Sequence, residues 1–260
     1  MLDVDFTTVT ETPGTLVSTE ALDMAWTRYA LAAEHCVGKS VLEVACGPGP
    51  GLGYLAERAS TVVGGDCMAA HLAQVRAHYG SHVPLVRLDA QHLPFRRGSF
   101  DVVILFEALY FLKAFDAFVQ GCWDLLPDRG ALLIATVNPQ WADFNQAPFS
   151  TKYLTAEELH ESLNTSGFAV DIYGGFPIAE PSVRDRVMSI AKRITVKLHL
   201  IPRTMKGKQL LKRVAFGKLG RFPPEISCAT GTFRAPTRLS DLRAVEGYKV
   251  LYAVARKETR

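Results

Sequence analysis

Val41-Leu-Glu-Val-Ala-Cys-Gly-Pro-Gly-Pro-Gly-Leu-Gly53 decides how this chain is read. A short apolar run ends in glycines at 47, 49, 51 and 53, and Leu52–Ala59 has the composition of a helix. Glycine lets backbone approach a ligand closely, and a helix starting there presents free N–H groups. In dinucleotide-binding enzymes such a turn holds a pyrophosphate. Two residues speak against that ligand here. The dinucleotide spacing from Gly47 asks for glycine at 52, which is Leu52, and Glu43 inside the strand would repel a pyrophosphate. A carboxylate at that place suits a ligand with a cationic group.

Working outward, the periodicity predicts a helix over 18–36 with Ser18 or Thr19 as cap and Leu22, Ala25, Trp26, Tyr29 and Ala33 on one face. Thr61–Gly65 is apolar and ends at Asp66; Met68–Tyr79 is helical; Pro84–Leu88 ends at Asp89. Phe100–Phe106 is apolar apart from Asp101 near its start, as suits a central parallel strand. Ala114–Leu126 reads as a helix, Pro127–Gly130 as a turn and Ala131–Val137 as a strand. Thr155-Ala-Glu-Glu158 is a capping box for a helix ending at Gly167, and Phe168–Tyr173 is another strand. The alternation means βαβ units in a doubly wound, mostly parallel sheet. It breaks at Gly174-Gly175 and resumes only with a final strand, Tyr248–Ala255. The expected organisation is a core of residues 1–175 and 244–260, including an N-terminal arm and lid helix over 1–38, interrupted by a helical insertion over 176–243 before the last strand. The first fifteen residues are polar and Thr-rich, and read as a loose arm.

With these motifs in order, the chain resembles the class I S-adenosylmethionine-dependent methyltransferases. Glu43, Ala45, Cys46, Gly47 and Gly49 match the family's first motif. Asp66 stands where the family places the acid that binds ribose hydroxyls; Asp89-Ala90 with Leu93-Pro94-Phe95 is similar to its segment beside the adenine. Phe100-Asp101-Val102-Val103 matches its fourth strand, and Leu125-Leu-Pro-Asp-Arg-Gly130 its turn into strand five. The resemblance covers roughly residues 25–175 and 247–256. It implies a Rossmann-like α/β fold with a seven-stranded sheet, S-adenosyl-L-methionine as cofactor, S-adenosyl-L-homocysteine as product, and no metal. By the same resemblance Gly47 and Gly49 line the methionine portion and Glu43 supports the loop or the ammonium group. Asp66 accepts from both ribose hydroxyls, Cys67 and Met68 pack against the adenine, Asp89 receives its amino group with the Ala90 backbone beside it, and Glu107 faces the methionine end.

Methyl transfer from a sulfonium is an in-line displacement, so positioning and exclusion of water do much of the work. Many relatives that methylate sugars or quinones read Glu-x-x-Glu-His after strand four; this chain reads Glu107-Ala-Leu-Tyr110-Phe111, with no histidine. Tyr110 is the catalytic candidate there, either positioning an acceptor or packing under the rim. His35 is a second, because the family's N-terminal helix often covers the cofactor; Arg28 and Tyr29 on that helix are expected to reach the site with it, Tyr29 as an acceptor contact. Trp141 and Phe144, with Phe149, form an aromatic wall for the acceptor or pack their own loop.

Across 260 residues the net charge is +3, which by itself names no partner. Residues 183–222 hold twelve Lys/Arg against one acid, Asp185, a net +11, so the rest of the chain carries −8. Apolar positions 183, 187, 190, 191, 194, 198 and 201 make the first part of this segment an amphipathic helix stopped by Pro202. Three readings stand: a lid whose cations hold an anionic small-molecule or carrier-linked acceptor, a surface for an anionic membrane, or a solvated face packed on the domain or a second subunit. Nucleic acid fits less well, since only Phe216 and Phe222 interleave the charges. Five widely spaced cysteines without a CxxC pair read as reduced thiols, and the N-terminus lacks the features of a signal peptide, so a cytoplasmic protein is expected, peripheral at a membrane on the second reading.

Overall fold

The structure is a computed structural model that describes residues 4–178 and 219–258. Its elements in chain order are β1 (Leu16–Ser18), α1 (Thr19–Cys36), β2 (Ser40–Val44), α2 (Leu52–Ala56), β3 (Thr61–Asp66), α3 (Ala69–Tyr79), β4 (Leu85–Arg87), β5 (Val102–Phe106), α4 (Phe115–Leu125), β6 (Ala131–Val137), α5 (Ala156–Thr165), β7 (Phe168–Pro177), β8 (Leu219–Arg221), β9 (Thr237–Arg238) and β10 (Tyr248–Lys257). Single 3-10 turns occupy Phe6–Thr8 and Leu109–Phe111. No helix among the described residues is long and apolar enough to cross a membrane.

The main sheet runs β4-β3-β2-β5-β6-β10-β7-β9, with β4 to β6 parallel and β10 antiparallel to both its neighbours. This is the doubly wound sheet expected, with the two-residue edge β9 as an eighth strand, and β1 pairs with β8 in a separate ribbon. Side chains alternate faces along a strand. Val103 and Leu105 of β5 therefore join Phe118, Cys122, Leu125, Leu159 and Leu163 of α4 and α5, while Val102 and Ile104 join Ala25, Trp26, Leu52, Leu55 and Val75 of α1, α2 and α3. Both faces are covered, which is why that run has no polar position. The caps form as read: the Ser18 hydroxyl accepts from Ala21 N, and the Thr155–Glu158 capping box closes in both directions.

Two expectations change, the glycine break and the loose arm. Gly174-Gly175 does not break the sheet; β7 continues to Pro177. A Cβ at Gly174 would lie 2.5 Å from the Tyr248 ring, and one at Gly175 2.5 Å from the Tyr252 ring. The glycines make room for two tyrosines of β10, so they are packing residues rather than punctuation. The helices expected in the insertion over 176–243, at 183–201 and around 210–219, fall almost entirely on residues 179–218, which lie outside the described residues; the described 219–243 hold short strands and coil. The described part of the arm packs against the body: Phe6 meets Phe111 at 5.0 Å between ring centres, and Gly14 N–H donates to Phe222 O.

Candidate active site

In an open α/β sheet, ligands bind beyond the carboxyl ends of the strands where the strand order reverses. Here that point lies between β2, which leads to β3 on one side, and β5 on the other. A cavity of about 540 Å³ opens there. Immediately after these two strands the backbone turns left-handed at non-glycine residues, with φ of 56° at Ala45 and 51° at Glu107. Such conformations cost about 1–3 kcal/mol and persist where the surroundings over-determine them. Here they aim the Glu107 side chain and the glycine loop into the cavity.

Glu43 is 2% exposed at the cavity floor. Tyr29 O–H donates to its Oε1 at 2.6 Å; its Oε2 has no partner among the described residues. Burial pushes its carboxyl up to about 7, against the opposing pull of the Tyr29 bond and the Arg28 charge. Arg28 lies 3.6 Å from Glu107 Oε1 and leaves its Nε unpartnered. Burial works against the Arg28 charge, but Glu107 together with Tyr29, Glu11 and Tyr252 outweighs it, and the guanidinium is held more firmly protonated than usual. Burial likewise raises the Glu107 carboxyl, with Arg28 opposing. A buried carboxylate oxygen and a guanidinium with a free N–H thus face one space, as an ammonium and a carboxylate on one carbon would require.

Asp66, 4% exposed, ties the glycine loop to the end of β3: Oδ2 accepts Gly47 N–H at 2.9 Å and Oδ1 accepts Met68 N–H at 2.7 Å. His71 Nδ1 sits 3.3 Å from the same Oδ1. Asp89 lines the cavity with Ala90, and its Oδ1 accepts from the backbone and side-chain amides of Gln91. Partial burial raises the Asp89 carboxyl, yet the Gln91 bonds and His92 outweigh it and leave it below the ordinary carboxylate range.

Among the other expected site residues, Ala45, Cys46, Gly47, Cys67, Glu107, Tyr110 and Trp141 line the cavity. Met68 and Gly49 do not. Met68 caps α3, and the missing Cβ of Gly49 leaves room for Leu52 and Val75. Tyr29 reaches the cavity wall, but its hydroxyl is spent on Glu43, so it holds that carboxylate in place. Phe144 lies behind the wall, edge-on to Tyr153 at 4.7 Å, and Tyr153 stacks on Tyr110. His35 stands in the last turn of α1 beside Arg256, outside the cavity. Seven residues of helix separate it from Arg28, about 10 Å along the axis, so a helix that brings Arg28 to the site carries His35 away. Tyr110 O–H points at Glu107 Oε2 at 3.4 Å; burial and the Glu107 charge push its phenol well above the ordinary value, so it acts as a donor and not as a base near neutral pH.

Sequence reasoning missed His71, Gln91 and the arm residues Phe6, Val9, Thr10 and Glu11, all of which line the cavity. Arg28, expected at the site with its helix, does line the cavity, and it shares a helix face with Ala21 and Met24, where a lone cation in an apolar stripe calls for a partner. Phe111, where the histidine of other sequences would stand, seats Phe6 of the arm. Away from the glycine loop the wall is apolar: Met24, Phe106, Val137, Trp141, Phe222 and Val250. Lys249 spans its rim, bonding both Glu20 oxygens at 2.8 Å over the Trp141 face. Among the described residues no three His, Cys, Asp or Glu side chains cluster as a metal site.

Residues 42–134 match the family described as a methyltransferase domain. A protein of Mycolicibacterium smegmatis, named as a probable S-adenosylmethionine-dependent methyltransferase, is 35% identical over 169 residues, which cover 60% of this chain and 63% of that protein. A fatty-acid O-methyltransferase of the same organism is 34% identical over 124 residues, covering 44% of this chain and 45% of its own length. The chain thus spans less than two thirds of these curated relatives. Among solved structures, an S-adenosylmethionine-dependent methyltransferase from Archaeoglobus fulgidus superposes with a TM-score of 0.56 at 17% identity, covering 92% of this chain and 95% of that one. At that identity the likeness is one of fold.

Proposed function

We propose, from the premise that residues 42–134 form a methyltransferase domain in a class I Rossmann-like fold, that this chain is an S-adenosylmethionine-dependent methyltransferase. The observation that carries the reading is the set of unpartnered polar atoms. Six buried side-chain N or O atoms lack a partner among the described residues, and four of them belong to residues lining the cavity: Arg28 Nε, Glu43 Oε2, His71 Nε2 and Trp141 Nε1. Buried polar groups are normally satisfied, so a cluster of exceptions around one cavity is the mark of a polar ligand that completes them.

S-adenosylmethionine, when bound, supplies a methyl group on an electrophilic sulfonium. Its other groups fit the residues present. Glu43 Oε2 receives the ammonium and Arg28 the carboxylate; the glycine loop gives the close approach, and Asp66 and Asp89 take the ribose and adenine sides. Glu107 and Tyr110, at the junction of the two halves, orient the acceptor and hold a proton at Glu107 Oε2 when the acceptor is a hydroxyl or carboxyl. The arm, seated on Phe111, excludes water.

The apolar wall favours an acceptor with a sizeable hydrocarbon or aromatic part, presented alone or on a carrier, over a bare sugar. The resemblance to a fatty-acid O-methyltransferase supports the same side. On this reading the basic residues 183–222 serve an acceptor or its membrane in a cytoplasmic enzyme that works peripherally; residues 179–218 lie outside the described residues. Calorimetry with S-adenosylhomocysteine tests the core of the proposal. Binding near the micromolar range is expected, and no binding by the folded protein refutes it.

A further inference from the structure

A ribose presents two hydroxyl protons, and Asp66 is the expected acceptor for both. Its carboxylate is already committed. Each carboxylate oxygen accepts along about two lone-pair directions. Oδ1 accepts Met68 N–H at 2.7 Å and faces His71 Nδ1 at 3.3 Å, which fills it; Oδ2 accepts Gly47 N–H at 2.9 Å, which leaves one direction. The second hydroxyl needs another acceptor. A carboxylate has no proton to give, so Nδ1 is the donor in the contact with Asp66, and Nε2 of the neutral ring carries a free lone pair. That nitrogen is buried, has no partner among the described residues, and belongs to a side chain 2% exposed that lines the cavity.

We propose that His71 is the second half of a diol clamp: Asp66 Oδ2 and His71 Nε2 each accept one hydroxyl of the cofactor ribose. The assignment rests on the methyltransferase reading above and adds a residue to it. Asp66 then has three jobs, anchoring the glycine loop, fixing the imidazole tautomer and taking one hydroxyl. A structural histidine would leave no orphaned nitrogen at the cavity wall.

The test compares S-adenosylhomocysteine with its 2′-deoxy and 3′-deoxy analogues by titration calorimetry on wild type, His71→Leu and His71→Gln, with a melting curve for each protein. Wild type is expected to bind each deoxy analogue about five- to tenfold more weakly, the range of one neutral hydrogen bond. His71→Leu should weaken S-adenosylhomocysteine by about the same factor while binding one of the two deoxy analogues as well as wild type does. His71→Gln, which offers an amide oxygen, should recover part of the loss. An equal loss for all three ligands, or no loss for S-adenosylhomocysteine, overturns the clamp. If His71→Leu does not fold, discrimination by wild type and His71→Gln decides. Wild type that binds S-adenosylhomocysteine but ignores both hydroxyls refutes this inference alone, whereas wild type that does not bind it refutes the methyltransferase reading and the clamp with it.

Discussion

Glu43→Gln should make the free protein more stable and a worse cofactor binder. Glutamine keeps the length of the side chain and an acceptor for Tyr29 O–H, but it carries no charge. In the wild type, burial pushes the Glu43 carboxyl from 4.5 up to about 7. The folded value lies above the unfolded one, so the stability linked to this proton is fully present below pH ~4.5 and is lost as pH rises through about 7. The gap is worth about 3 kcal/mol at about 1.4 kcal/mol per pH unit. The groups that the Glu43 charge raises, Tyr29, Cys36, Cys46 and Tyr79, all titrate above pH 8, so between pH 5 and 8 the difference between the two proteins isolates Glu43. At pH 8 the variant should be more stable by about 3 kcal/mol, seen as a melting point higher by roughly 6–12 °C, and at pH 5 by only about 1 kcal/mol. In the same samples S-adenosylhomocysteine affinity should fall roughly 10- to 100-fold at pH 8, the range of a charge-assisted hydrogen bond. Melting curves and denaturant titrations at both pH values, with calorimetry, measure all three quantities. Equal stabilities at pH 8, or a gap that stays constant down to pH 5, would refute the account of Glu43 as a charge held in readiness for a cationic ligand.

Gly51→Ala places a Cβ 1.9 Å from Tyr29 Cε1, so the ring must leave and its bond to Glu43 must break; a stability loss of at least ~2 kcal/mol in urea unfolding is expected, with loss of cofactor binding. Phe6→Ala removes the arm's seat on Phe111 and should speed S-adenosylhomocysteine dissociation about two- to tenfold in stopped flow, with little change in the melting of the free protein. Thr155→Ala removes one half of the capping box and should cost about 1 kcal/mol without changing cofactor affinity, a control that separates stability from binding.

Much of the architecture was legible in the chain because it rests on neighbours in sequence. The run Val102–Phe106 is apolar since it is buried on both faces; Thr155 and Glu158 are three apart and cap their own helix. The residues at strand ends, Glu43 to Gly47, Asp66, Asp89 and Glu107, could be placed together because consecutive right-handed βα units bring the carboxyl ends of parallel strands to one edge. His35 was misplaced because the sequence does not say which end of α1 reaches the cavity, and Gly174-Gly175 was read as a break because the tyrosines that need their space lie on a strand more than seventy residues later.

Sequence alone therefore determined the doubly wound sheet and the glycine loop with an acid in the strand before it. Each follows from local pattern and from the handedness of the connections. Only the tertiary structure decided what those acids are free to do. Asp66 spends most of its lone pairs on Gly47, Met68 and His71, Arg28 pairs with Glu107 across the cavity, and Phe6 closes onto Phe111. The remaining capacity of a polar group depends on every partner that folding brings to it, and most of those partners are distant in the chain.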